Sequence, residues 1–360
     1  MRRRNFLYGA SSSGLLALAP LAAIASPASA APKGAPASRP GGPTRRPPQI
    51  TWTIFSRHLQ WLTTQAYAHQ YPYETGVLVG EAAAEMGYAA VDLTVRPGGH
   101  VEPAAVRRNL APMLRGVRST GVRCAHITTG FTSRSSEYAD EVLTTAADQG
   151  IRYYRWGSFS YRWDADAYGD TVLAQLEDLR KEVRSLAVLS RRLGMTGIYH
   201  TFSGGRVGSS VWDLLHLLDT IDPDALAINF DIGHLVAEGA VGSWQTNLRT
   251  AFPRVRGVGL KDSTVTRAAN GAVRAGWVPA GQGFVPWVDF FRVLHDGGFS
   301  GPCEAQIEYV HQGVNLNTTF WADTPSFTLS RAQMLGTIAT ELSVYQAAAS
   351  EAGWTATEQH

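Results

Sequence analysis

Leu226-Ala-Ile-Asn-Phe-Asp-Ile-Gly-His-Leu235 is a nearly continuous apolar run with an acid, Asp231, at its exit and a histidine, His234, three residues further on. A half-buried strand would alternate polar with apolar side chains, and an amphipathic helix would repeat its apolar side chains every three to four residues. Polar groups gathered at one end describe instead a parallel strand covered on both faces. Asp231 and His234 then stand at the carboxyl end of a strand, where an α/β barrel keeps its reactive groups. Four other strand-like runs end the same way, in Arg155-Trp156, His200, Lys261-Asp262 and Glu308.

Outward from this run the chain alternates two kinds of segment. Residues 50–56, 88–95, 123–129, 151–157, 195–202, 255–262 and 302–309 read as further strands. Residues 75–86, 103–120, 134–149, 164–193, 209–221, 241–252, 287–297 and 330–348 read as helices. Gly87, Gly121, Gly150 and Gly194 follow four of the helices, as a helix C-terminus favours, and Pro103 opens another. Eight strand–helix pairs in this order predict a single-domain α/β fold, a (β/α)8 TIM barrel over residues 49–360. An open doubly wound sheet would carry a glycine fingerprint after its first strand and gather its polar residues at one switch point; this sequence does neither.

The chain of 360 residues is 44% hydrophobic and 17% charged, with a formal net charge of +2. That suffices for one large core, and gives no support to a nucleic-acid or acidic-membrane partner. Cys124 and Cys303 fall in strands that should not be neighbours, so two buried thiols are expected rather than a disulfide. Arg2-Arg3-Arg4-Asn5-Phe6-Leu7, the modest apolar run Leu15–Ile24 and Ala28-Ser29-Ala30 together read as a twin-arginine signal peptide, residues 1–30, with a cleavage site. The apolar run is too short for a stable membrane anchor. Residues 31–48, rich in Pro, Ala and Gly, read as a disordered linker. The expectation is export by the twin-arginine machinery to the periplasm or outside.

If the strand faces holding Asn229 with Asp231, Gly259 with Lys261, and Gln306 with Glu308 point inward, the mouth holds Asp92, His126, Arg155, His200, Asp231, His234, Lys261 and Glu308. Carboxylates and imidazoles converging from different strands can bind a divalent cation that polarises a carbonyl. Each residue also has a plainer reading. Asp92 and Asp262 could cap helices or pair with Arg96 and Lys261, and a lone His126 could be a satisfied core histidine. His100, after two glycines, is taken as substrate-facing; Arg57, His58 and Trp61 are weaker candidates in an aromatic loop.

Residues 87–100 (GYAAVDLTVRPGGH), Asn229-Phe-Asp-Ile-Gly-His234, Val258-Gly-Leu-Lys-Asp262, Pro279-Ala-Gly-Gln-Gly283 and Gln306-Ile-Glu308 resemble the xylose-isomerase-like TIM-barrel superfamily of sugar and sugar-phosphate isomerases and epimerases, inosose dehydratases and endonuclease IV. In its epimerases a divalent metal is held by Glu, Asp, His and Glu from strands five to eight, and the two glutamates move the proton. The resemblance implies Asp231 and Glu308 as ligands and His234 as the substrate-side histidine. It departs at His200, where the first Glu would stand, and at Gly259, where the ligand His would stand. The implied shell is therefore His200, Asp231 and Glu308 around Mn, Mg, Co or Zn, with a proton-transfer role passing to Lys261 or a histidine.

These readings lead to an exported carbohydrate isomerase or epimerase that abstracts a proton next to a carbonyl. Glu308, Lys261 and His234 would be catalytic, and Arg155, His126, His100 and Asp92 would bind a small unphosphorylated sugar. The alternatives are a lyase acting by β-elimination on 3-keto-sugars or glycosides, and a non-catalytic sugar-binding barrel that has lost its metal. The oligomeric state stays open. An endonuclease would need a fuller set of metal ligands and a basic groove.

Overall fold

The computed structural model describes residues 47–163, 168–267 and 269–360. The expected leader, most of the linker and the expected start of the helix at Asp164 lie outside the described residues. Eight short strands, β1 (Gln49–Phe55), β2 (Ala90–Thr94), β3 (Arg123–Thr128), β4 (Tyr153–Arg155), β5 (Thr196–His200), β6 (Leu226–Asp231), β7 (Val255–Leu260) and β10 (Ser300–Ala305), pair in parallel and close into a barrel in the order β1-β10-β7-β6-β5-β4-β3-β2. This is the expected TIM barrel. β6 is buried at every position, as a strand with its outer face under helices and its inner face in the barrel must be.

The helices are α1 (Gln65–Gln70), α2 (Pro72–Glu85), α3 (Val106–Ser119), α4 (Ala139–Asp148), α5 (Asp170–Leu193), α6 (Val211–Leu218), α7 (Ile232–Ala237), α8 (Trp244–Ala251), α9 (Trp287–Gly297) and α10 (Arg331–Glu351). Their boundaries follow local chemistry. Gly194 and Gly298 end α5 and α9 in the left-handed conformation. Ser330 and Gln333 form a reciprocal capping box at the start of α10. α4 begins at Ala139 rather than Arg134, because the Ser136 hydroxyl binds the Thr132 and Ser133 amides and holds the preceding residues in a turn. Among the described residues no helix is long and apolar enough to cross a membrane.

Two features depart from a plain eightfold alternation. β8 (Asp262–Arg267) and β9 (Val273–Val278) form an antiparallel hairpin after β7, where a loop was expected. The eighth barrel strand stops at Ala305 instead of Tyr309, since the Ile307 amide is taken by His58 Nε2. Beyond it β11 (Val310–His311) pairs with β12 (Val314–Asn315). Both cysteines are free thiols, on strands β3 and β10 that do not adjoin.

Candidate active site

The site is built at the carboxyl ends of the strands. The register sets Asp231 of β6 beside Gly259 of β7, and Gly259 beside Glu304 of β10, while His200 of β5 faces Asn229. A register shift between Ile228 and Asn229 displaces the end of β6 relative to β7. Asp231 ends its strand and caps the next helix, because its Oδ1 accepts from the His234 amide at 2.8 Å. The three-residue spacing of Asp231 and His234 is thus an N-cap spacing that also fixes the imidazole.

Lys261, immediately after β7, is 2% exposed and gathers the cluster. Its Nζ lies 2.8 Å from His234 Nε2, 2.8 Å from Glu308 Oε2 and 3.1 Å from Gln306 Oε1, with Asp231 Oδ2 at 3.3 Å. The Trp277 ring of the hairpin covers the ammonium, 4.8 Å from the ring centre. His234 Nδ1 meets the Ser203 hydroxyl at 2.9 Å. Burial first, and then the neighbouring ammonium, push His234 well below its ordinary range, so it is a neutral imidazole. His200 is pushed down to about 4, by burial and then by Arg155. Burial works to raise Asp231 and Glu308, but Lys261 together with the histidines around Asp231, and with Arg57 and His234 around Glu308, holds both well below the usual carboxylate range and so ionised. Glu308 is gripped from its other side by Arg57, at 2.6 Å.

A second cluster forms the floor. His126 Nε2 stands 3.2 Å from Glu304 and 3.3 Å from Asp92, and all three side chains are out of contact with solvent. Burial opposes a charged ring, yet the two carboxylates raise His126 to about 9. Glu304 also accepts from Gln306 Nε2 at 3.0 Å and faces Arg155 Nη1 at 3.5 Å. On the rim, the guanidinium carbons of Arg57, Arg96 and Arg155 lie 5.3, 5.5 and 5.0 Å from the centre of one ring, Phe55.

A family model described as xylose isomerase-like TIM barrel matches residues 81–325. The chain belongs to the xylose isomerase-like TIM barrel family. A member of that description from Mycobacterium smegmatis, solved in complex with magnesium, superposes with a TM-score of 0.59 at 16% identity, over 85% of this chain and 98% of that one. A D-allulose 3-epimerase from Methylomonas sp. gives 0.57 at 14% identity, over 84% and 99%. A xylose isomerase domain protein from Planctomyces limnophilus gives 0.55 at 17%, over 84% and 97%. At such identities the likeness is one of fold. No curated protein sequence matches the chain significantly.

The residues expected at the mouth from the strand ends are distributed between the two clusters. His200, Asp231, His234, Lys261 and Glu308 come together around the ammonium, and Asp92, His126 and Arg155 belong to the floor with Glu304. His100 sits apart from both, 1% exposed, with Nδ1 on Thr94 Oγ1 and its ring edge-on to Trp321. Glu304 was missed because it lies inside a strand whose end was expected further on. Arg57 lies in a 3-10 turn, Ser56–Leu62, and Arg96 in the loop after β2, and neither position has a periodic signal. Asp262 organises the glycine-rich loop: it accepts from the amides of Ser263, Gly281, Gly283 and Val285 and from Trp287 Nε1. Those amides are therefore not free to cradle a phosphate.

Two groups of described residues bring possible metal-ligand atoms together, His200–Asp231–His234 and Asp92–His126–Glu304. In the second, His126 already sits between the two carboxylates as a proton-bearing bridge. The first fits a divalent ion: two neutral imidazoles adjoin a carboxylate whose buried Oδ2 makes no well-aligned hydrogen bond, with only His200 Nε2 at 3.2 Å and the Lys261 ammonium at 3.3 Å beside it. Glu308 is outside that group. The fit carries one condition, that Lys261 swings towards Glu308 and Gln306, because its ammonium now stands beside the same Oδ2.

Proposed function

We propose that this chain is an exported carbohydrate enzyme that removes a proton from the carbon next to a carbonyl, giving isomerisation or epimerisation. The observation that carries this reading is the Lys261–Glu308 pair, an ammonium and a carboxylate 2.8 Å apart at the barrel mouth beside two neutral imidazoles.

In this reading the sugar carbonyl oxygen takes the hydrogen bond that Lys261 now gives to Glu308. The loss of that contact makes the carboxylate more basic just where a base is needed. Glu308 then accepts the proton as the C–H electron pair moves into the enolate, and the ammonium stabilises the enolate oxygen. A proton delivered to the opposite face by a second donor, such as solvent, gives an epimer; a proton delivered to the former carbonyl carbon, while the adjacent hydroxyl gives up its own proton and becomes the carbonyl, gives an isomer. His234 accepts from Lys261 and aims it, while Gln306 supports it from β10's exit. Trp277 and Phe202, both against His234, offer apolar faces to a sugar ring. A divalent ion held by His200, Asp231 and His234 would take the place Lys261 now holds at His234 and Asp231, and would then supply Lewis-acid polarisation of the carbonyl instead of the ammonium.

The reach of Lys261 to several acceptors also favours β-elimination as a second reading, since the ammonium can protonate a departing oxygen after the same first step. The twin-arginine leader supports action outside the cytoplasm, which cell fractionation of the wild type beside an Arg2→Lys, Arg3→Lys variant tests. The test of the chemistry is proton exchange. Ketoses and 3-keto-glycosides are incubated with enzyme in heavy water and followed by NMR. Uptake of deuterium next to the carbonyl, abolished by Glu308→Gln, supports the reading. No exchange with any of them leaves the sugar-binding barrel in its place.

A further inference from the structure

Phe55 ends β1 at the barrel mouth, and three guanidiniums converge on its ring. Like charges gathered this closely need countercharge. Two of them have it inside the protein. Arg57 donates to Glu308 and to the Asn317 carbonyl, and Arg155 faces Glu304. The Arg96 side chain has neither a hydrogen bond nor an ion pair among the described residues, and it is only half-buried, so its donors are left without a protein partner.

The charge count around the mouth agrees. Lys261 and Arg57 match Asp231 and Glu308, while Arg155 and a proton-bearing His126 match Asp92 and Glu304. Arg96 is the cation left over. A planar fork of free donors beside two further guanidiniums suits a carboxylate, which it can bind through two parallel hydrogen bonds. A phosphate ester would want more positive charge or a ring of free amides, and the amides of the glycine-rich loop are already spent on Asp262.

We propose that the substrate carries a carboxylate, as in a keto-uronate or other sugar acid, and that Arg96, with Arg57 and Arg155 beside it over Phe55, binds that group. This rests on the sugar reading above and names the class of sugar. Because Arg57 also holds Glu308, the carboxylate end docks next to the base, and the carbonyl end falls towards Lys261.

The test uses D-glucuronate, D-galacturonate and D-fructuronate, each beside its neutral parent sugar and beside fructose 6-phosphate, with binding measured by calorimetry. At least one acid should bind tenfold or more tightly than its parent. Arg96→Gln should erase that difference, and Arg96→Lys should keep part of it, since a point charge remains without the fork. Acids that bind no better than their parents, an affinity unchanged in Arg96→Gln, or tighter binding of the phosphate ester would each overturn the proposal. Heavy-water exchange on the same samples separates the two readings. Arg96-dependent binding without exchange keeps the carboxylate site and removes the proton chemistry; exchange into neutral sugars with no preference for acids does the reverse.

Discussion

A Cβ built on Gly259 would stand 2.7 Å from Oδ2 of Asp231, so the glycine of the seventh barrel strand and the acid of the sixth claim one space. The family resemblance implies a ligand histidine at that glycine. Here Asp231 leans over the bare backbone, and Lys261, two residues on, reaches the same oxygen. Gly259→Ala is therefore expected to cost about 1–3 kcal/mol of stability by overpacking. In an Asp231→Ala background the cost should shrink by more than half, as urea denaturation of the double-mutant cycle would show.

Removing the ammonium should uncouple the cluster. Lys261→Met keeps the length of the side chain and loses the charge. Proton exchange into substrate is expected to fall by roughly 10²–10³, the range for a lost donor to a developing oxyanion. His234 should titrate at higher pH in the variant, because after burial the Lys261 charge is the largest influence holding it down. An imidazole NMR titration that shows no rise would contradict this account.

The same variant bears on metal. The ammonium stands within 3.3 Å of the oxygen a divalent ion would need. Calorimetric titration with manganese should show at least tenfold tighter binding in Lys261→Met than in the wild type, and none in Lys261→Met combined with His200→Ala. Equal affinity in the wild type and in the single variant would mean that the ammonium does not compete for this position.

The floor cluster predicts how stability varies with alkali. His126 is raised from its ordinary 6.5 to about 9 by the Asp92 and Glu304 carboxylates, against the opposing effect of burial. Its contribution is fully present below pH 6.5 and is lost as pH rises through about 9. Glu304, lowered to about 2, acts only in acid, outside that window. Denaturant midpoints of the wild type should fall between pH 6.5 and 9, and those of His126→Gln should fall less.

Asp262 tests the loop. Its carboxylate accepts three amides of residues 281–285 and the Trp287 indole. Asp262→Asn turns one acceptor into a donor facing donors, at a cost of about 2–3 kcal/mol. Hydrogen exchange should speed up at Gly281, Gly283 and Val285 while β1 to β6 stay protected.

The barrel was legible because each strand is a short apolar run and glycine follows several of the helices. The site was legible only where a polar group ends such a run, as Asp231, His234 and Lys261 do. Glu304 hid inside its strand: counting back by two from Gln306 reaches it, but the strand was expected to continue past Glu308. Arg57 and Arg96 lie in turns, where no periodicity says which way a side chain points. The β8–β9 hairpin carries a turn signal of its own, Asn270-Gly271, but the residues after it, with Ala275 and Gly276 among them, are a weak strand pattern.

That hairpin gives the protein its own optical probe. Of 10 tryptophans, Trp277 places its indole over the Lys261 ammonium and edge-on to the His234 ring, 4.9 Å between centres. Indole emission responds to charge and water at such distances. A ligand that takes Lys261 away from Glu308 therefore changes the colour and yield of the protein's fluorescence, and that signal reads occupancy of the mouth directly, whether or not a reaction follows.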